Sequence, residues 1–386
     1  MHNRFFILHL SLIDGIGPAI IQRIIELQRS GVQASDLYLF SSADWQQKGG
    51  FTSVVAQKLV TGLTDKKILE EEVSLIDRHR IEWVTIVDER YPHLLREIYL
   101  PPAVLYWQGS FFNNCSVDDN RLLAVVGARK ANNYGQYIIN QIIPDLVSAQ
   151  YTIVSGGALG IDAMAHTATL NAGGKTVAVL GSGLLRLYPT NNIELFKLIM
   201  EQGGSIVSSF PLRMEPFPGN FPARNRIISG LSRGCLVVQA AGKSGALISA
   251  HYAMEQGREV FAVPGPIDSE LSIGCHNLIQ NGAKLVVTSA NILEEFGESI
   301  VIHSAVSKEP IKKNEEILTC KAIKDQYTHY SDEQKNIIAA CSIPSYFDVI
   351  VETTQLSREI VQCELFNLQL DGVVEQDFSG MWKSGF

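Results

Sequence analysis

Between Leu122 and Thr288 the apolar positions fall into short, nearly unbroken runs: LLAVVG, YTIVSG, TVAVLG, SIVSSF, CLVVQA, EVFAVPG and KLVVT, most of them separated by segments of helical period. A strand with one wet face alternates, whereas a run apolar at almost every position is buried on both faces. Such runs interleaved with helices predict an α/β domain built on a parallel sheet covered on both sides. Several runs end in a Gly turn. In such sheets ligands bind beyond the carboxyl ends of the strands, so the Gly turns are expected along one edge.

The flanks follow other rhythms. Ile16, Ile20, Ile24 and Leu27 have helical spacing, and the DGIGP before them is a Gly turn with Pro18 at a first helical position. Residues 1–80 therefore read as a helical domain of helix-hairpin-helix or SAM-like type. Its turn can offer N–H groups to a phosphate, but with few cations beside it, a helical domain that only packs fits slightly better. Residues 81–300 hold the extended Rossmann-like domain. The charged, weakly periodic stretch 301–328 reads as a linker. In residues 329–386, SDEQKNIIAAC, SYFDVIVET and LSREIVQCELFNLQLDG read as three helices and VVEQDFSGMWKS as a hairpin, which is the winged-helix order. Its third helix sets Arg358 among Glu359, Glu364 and Asp371, with Lys383 in the wing. That charge favours a protein-contact or vestigial role over base readout.

Composition narrows the class. Of 386 residues 46% are hydrophobic, ample for a packed core. The six cysteines are scattered without a C-x-x-C pair, which argues against a zinc site or a disulfide framework and suits a reducing cytosol. RFFILHLSLIDGIGP contains His9 and Asp14 and lacks a small-residue cleavage site, so no signal peptide is expected. No apolar run approaches the roughly 18 residues of a membrane span. A cytoplasmic protein is expected. The net charge is -8, but from Arg121 to Glu259 there are 12 Lys and Arg against 7 Asp and Glu, with 20 against 33 elsewhere. A basic centre thus sits in an acidic chain.

The chemistry follows the Gly turns. SGGALG puts Ser155 where a dinucleotide fingerprint needs its first Gly, and no acidic residue follows at the ribose-binding distance. Gly242-Lys243-Ser244 looks like the end of a phosphate loop, but Val237 occupies the position of its first Gly. Neither NAD nor ATP binding of those types fits, and no cofactor is expected. The turn carrying Ser155, Gly156 and Gly157 nonetheless aims backbone N–H groups at a helix start, an anion site whatever the ligand. Gly127, Arg129 and Lys130 follow one strand. Gly181, Ser182 and Gly183 follow another, with Tyr188 able to stack on a base. Arg224, Asn225 and Arg226 stand at the mouth of a helix, and Lys243 and Ser244 at the start of a further one. His166 and His251 fall within predicted helices as packing or surface residues, and Asp162 is expected to cap its helix. Donors and guanidinium groups without a carboxylate pair or a nucleophile bind anions rather than transform them, so no catalysis is expected.

In order, VVGARKANNYG, SGGALGIDAMAH, LGSGLLRLYPTNN, FPARNRIISGLS, SGALISA with YAMEQGREVFAVPG, and GCHNLIQNGA resemble the DNA-processing protein A family (DprA, also called Smf). The likeness covers about residues 80 to 290. It implies a homodimeric single-stranded DNA-binding protein that protects incoming DNA and loads the recombinase RecA during natural transformation, with Arg129, Ser155 to Gly157 and Arg224 to Arg226 lining the groove. Thr190, Gln239 and Phe210 depart from the family pattern and weaken the assignments beside them. The alternative is a nucleotide-binding enzyme or sensor of phosphoribohydrolase type. Its PGG-x-GT signature is replaced here by SGGALG and GKSGAL.

Overall fold

The computed structural model describes residues 3–113, 121–298, 330–341, 345, 347–371, 373–376 and 382–384. The chain divides into two compact units, Met1–Ile302 and His303–Phe386. The linker expected at 301–328 lies outside the described residues.

The first unit begins with six helices: α1 (Asn3–Leu12), α2 (Pro18–Arg29), α3 (Ala34–Leu37), α4 (Ser42–Gln47), α5 (Ser53–Thr64) and α6 (Lys66–His79). Pro18 opens α2, where its missing N–H would have had no helical partner. Next come β1 (Glu82–Thr85), α7 (His93–Glu97), β2 (Val104–Gly109), β3 (Leu122–Val126), α8 (Asn133–Ser148), β4 (Thr152–Ser155), α9 (Ile161–Asn171) and β5 (Thr176–Val179). They are followed by α10 (Ile193–Glu201), β6 (Ser205–Ser208), α11 (Asn220–Gly230), β7 (Gly234–Val237), α12 (Gly245–Glu255), β8 (Glu259–Ala262), α13 (Glu270–Gln280), β9 (Lys284–Leu285) and α14 (Ser289–Glu295).

The nine strands form one sheet in the order β1-β2-β6-β5-β4-β3-β7-β8-β9. From β6 to β9 all pairings are parallel, and β2 joins β6 antiparallel, as β1 joins β2. Every residue of β3 to β7 is buried, the state that the unbroken apolar runs require. Ile227, Ala246 and Cys275, from α11, α12 and α13, pack on one face of the sheet. Ile139, Ile161 and Ile292, from α8, α9 and α14, pack on the other. Starting from β3, the chain winds outward through β4, β5 and β6, then crosses back through α11 to β7 on the opposite side of β3. The strand order therefore reverses between β3 and β7, where a crevice opens at the carboxyl ends.

The N-terminal helices do not stand apart from this sheet. One apolar cluster contains Phe6, Leu10, Ile24 and Trp45 together with Leu180, Phe196 and Ile206. Glu72 of α6, itself buried, accepts the Leu212 N–H at 2.8 Å. Burial raises the pKa of this carboxyl, and the Leu212 bond and nearby Arg213 oppose that rise.

The second unit holds α15 (Asp332–Ala340), α16 (Phe347–Thr354) and α17 (Arg358–Leu370), then an antiparallel pair, β10 (Val374–Gln376) and β11 (Trp382–Ser384). Ile337, Ile350, Val361, Leu365 and Val374 form its core. Arg358, Glu359 and Phe366 of α17 are exposed.

Candidate nucleic-acid interface

The loops after β3, β4, β5 and β7 converge at the switch point around a cleft of about 780 Å³. Of the residues singled out in the sequence, Gly127, Arg129, Lys130, Tyr188, Arg224, Asn225, Lys243 and Ser244 line it. Its wall also contains Pro218, Phe221, Pro222 and Ile248. Ser155, Gly156, Gly157, Gly181, Ser182, Gly183 and Arg226 are not part of that lining.

Three cations reach solvent at the rim. Arg129, Lys130 and Lys243 are exposed and have no ion-pair partner among the described residues. Arg129 lies 5.5 Å above the Phe221 ring, which is itself 5.8 Å from the Tyr188 ring. Tyr188 is 41% exposed, an aromatic face open to a ligand. At the start of α12 the Ser244 hydroxyl accepts the Ala246 N–H, and the Asn225 side-chain amide donates to the Gly245 carbonyl at 3.2 Å. These bonds fix the head of α12, next to Lys243.

The floor is internally bonded. Arg224 is 4% exposed, and its Nη1 donates to the carbonyls of Gly156 (2.5 Å) and Val179. Burial lowers its pKa to about 10, with Asp162 pulling the other way, so it is cationic at neutral pH. Its guanidinium staples the β4 turn to the end of β5 and does not stand free at the rim. Arg226 points elsewhere: its Nη1 donates to the Leu100 carbonyl. Ser155 Oγ donates to the Val125 carbonyl at 2.6 Å, and Ser182 Oγ to the Arg186 carbonyl at 2.6 Å. The Gly183 N–H goes to the Met214 carbonyl. The reason is general: buried polar groups of a tight turn find partners within the protein.

Asp162 differs from its expected capping role. Gly160 is the N-cap of α9, and Asp162 Oδ2 instead accepts the N–H groups of Gly156 (3.1 Å) and Ala158 (3.4 Å), ahead of the helix. Burial raises its carboxyl pKa, while Arg224 and the two amides lower it. Asn192 Nδ2 donates to the carbonyls of Gly157 (2.9 Å) and Ala158 (3.2 Å). Gly160 has φ +79, and a Cβ there would run into the Ala128 carbonyl, so only glycine lets the β3 and β4 turns touch. His166 is fully buried in α9 with Nδ1 2.7 Å from Thr176 Oγ1, and burial with Arg224 nearby lowers its pKa to about 3. His251 is exposed and pairs with Glu255 at 3.2 Å. Gln239 exchanges bonds with Asn132: Nε2 donates to Oδ1 at 2.7 Å, and Oε1 accepts the Asn132 backbone N–H at 3.3 Å.

A doubly wound sheet with a cation-rimmed, aromatic-walled cleft at its switch point defines a protein of Rossmann type. The chain belongs to the DNA recombination-mediator protein A family, whose model matches residues 82–297. It is 34% identical over 389 residues to protein Smf of Synechocystis sp., covering 95% of each chain. It is 44% identical over 212 residues to the DNA processing protein DprA of Streptococcus pneumoniae, covering 55% of this chain and 73% of that one. The X-ray structure of DNA processing protein A from S. pneumoniae superposes with a TM-score of 0.57 at 35% identity, over 70% of this chain and 96% of that chain.

Proposed function

We propose that the cleft binds single-stranded DNA without sequence preference and without catalysis, and that the protein serves as a recombination mediator. The carrying observation is the rim: Arg129, Lys130 and Lys243 are exposed and unpaired among the described residues, around the rings of Tyr188 and Phe221. Cations spaced about stackable rings suit a flexible polyanion with unpaired bases. A duplex hides its base faces and gains nothing from the rings. Family membership supports the finer parts of the reading: homodimerisation, protection of incoming DNA during natural transformation and delivery to RecA. The order α15, α16, α17, β10, β11 supports a winged-helix tail, and the α1–α2 turn supports a helix-hairpin-helix segment at the N-terminus. Among the described residues no helix is long and apolar enough to cross a membrane; we place the protein in the cytoplasm by its proposed DNA substrate.

The test is fluorescence anisotropy with single- and double-stranded oligonucleotides at two salt concentrations. The reading predicts tight binding of the single strand that falls steeply with salt. Equal preference for duplex, or no binding at low salt, overturns it.

A further inference from the structure

A Gly-rich turn between a strand and a helix ordinarily presents its free amides to a phosphate group. In this protein two amides of the turn after β4, and the first of α9, are already bonded to the protein itself. Asp162 Oδ2 accepts the Gly156 and Ala158 N–H groups, Arg224 donates to the Gly156 carbonyl, and Asn192 donates to the carbonyls of Gly157 and Ala158. The Ile161 N–H at the head of α9 is taken by the Ala128 carbonyl at 3.1 Å. The space is closed as well: a Cβ on Gly156 would lie 2.7 Å from Asp162 Oδ2 and 2.9 Å from Arg224 Cζ. Asp162 is 6% exposed, so its carboxylate is a fixture of the turn and not a mobile surface group.

We propose that Asp162 is a specificity-determining resident acceptor: its carboxyl group fills the phosphate seat of the Gly-rich turn and bars a free or terminal phosphate from it. A nucleoside monophosphate brings one phosphate and one base, and finds its deepest subsite taken. A strand brings many phosphates to the separate cations Arg129, Lys130 and Lys243 along the rim, where the seat is not needed. The site then selects the interior of a polynucleotide over a mononucleotide. This rests on the functional reading above and deepens it.

The experiment uses the full chain, with inorganic phosphate and deoxyadenosine monophosphate as probes at constant ionic strength. Phosphate binding is followed by phosphorus NMR, melting temperature by scanning calorimetry, and the Gly156 and Ala158 amides by nitrogen–proton correlation spectra and hydrogen exchange. In the wild-type protein neither probe binds saturably up to millimolar concentration, and both amides are protected from exchange and unmoved by phosphate. Asp162→Ala binds phosphate at least tenfold more tightly than wild type, and phosphate raises its melting temperature by several degrees. Wild-type binding of phosphate that shifts those amides overturns the proposal. So does a folded Asp162→Ala with no gain in phosphate binding. If Asp162→Ala does not fold, the wild-type amides decide: rapid exchange at Gly156 and Ala158, or shifts on adding phosphate, overturns the proposal, and protection upholds it. Single-strand binding by the wild-type protein is measured in parallel. Its absence removes the functional reading and leaves the phosphate result standing.

Discussion

Asp162 and Arg224 hold Gly156 from opposite sides, the carboxylate on its N–H at 3.1 Å and the guanidinium on its carbonyl at 2.5 Å. The two most buried polar groups of the cleft therefore act on the scaffold, and in the proposed function ligand contact falls to the charges at the rim. Roles for the four arginines and lysines around this site separate on that basis.

Replacing Arg129 by Ala removes one exposed cation of the proposed DNA site. Affinity for every single-stranded sequence should fall by about tenfold, and the slope of log K against log salt should shrink by about 0.7. Anisotropy titrations over several salt concentrations and three unrelated oligonucleotides give both quantities.

Arg226→Ala should behave in the opposite way. Its guanidinium is spent on the Leu100 carbonyl, so the salt slope stays at the wild-type value while stability drops by about 1–3 kcal/mol. Urea denaturation beside the same titrations distinguishes it from Arg129.

The aromatic wall predicts a loss that salt does not modulate. Phe221→Ala or Tyr188→Ala should weaken single-strand binding by about 1–3 kcal/mol, with an unchanged salt slope. Tyr188→Phe keeps the ring and should bind as the wild type does.

His166 predicts the acid limb of stability. Its folded pKa of about 3 lies below the free value of 6.5, so the unfolded chain takes up the proton first. The stabilisation is complete above pH 6.5 and is lost as pH falls toward 3. The span amounts to about 5 kcal/mol. Denaturation curves between pH 7 and pH 4 should show this slope, and His166→Phe should flatten it.

Two glycines with left-handed backbones should respond unequally to Ala. Gly160 faces the Ala128 carbonyl, whereas Gly173 (φ +73) has open space around it. Gly160→Ala should cost well over 1 kcal/mol, by strain and collision together, and Gly173→Ala about 1 kcal/mol by strain alone. Melting curves of the two variants compare them directly.

The sheet was legible because burial on both faces leaves a direct trace. Each of the seven runs from LLAVVG to KLVVT contains a strand, and the parallel order brings the Gly turns to one edge. Exposed cations such as Arg129 and Lys243 were also readable, since their loops follow strand ends. The partner of a buried polar group was not. Whether Arg224 meets a ligand or Gly156 depends on a contact 68 residues distant in the chain, and local spacing carries no trace of it. Asp162 looked like a cap because caps are local, yet its carboxylate turns back to the residues before the helix. Phe221 and Asn192 were passed over for a similar reason. Phe221 lies inside the FPARNR segment, and its ring faces the guanidinium groups of Arg129 and Arg224, a partnership that local spacing does not show. Asn192 meets Gly157 across 35 residues.

The N-terminal helices carry a consequence for shorter versions of this chain. Phe6, Leu10, Ile24 and Trp45 share their solvent-free interior with Leu180, Phe196 and Ile206. A chain begun at residue 81 would bare a greasy flank on the sheet and leave the Leu212 amide without its acceptor. The helical segment is thus the other half of a zipped seam, and a relative that dispenses with it needs new side chains to seal that flank.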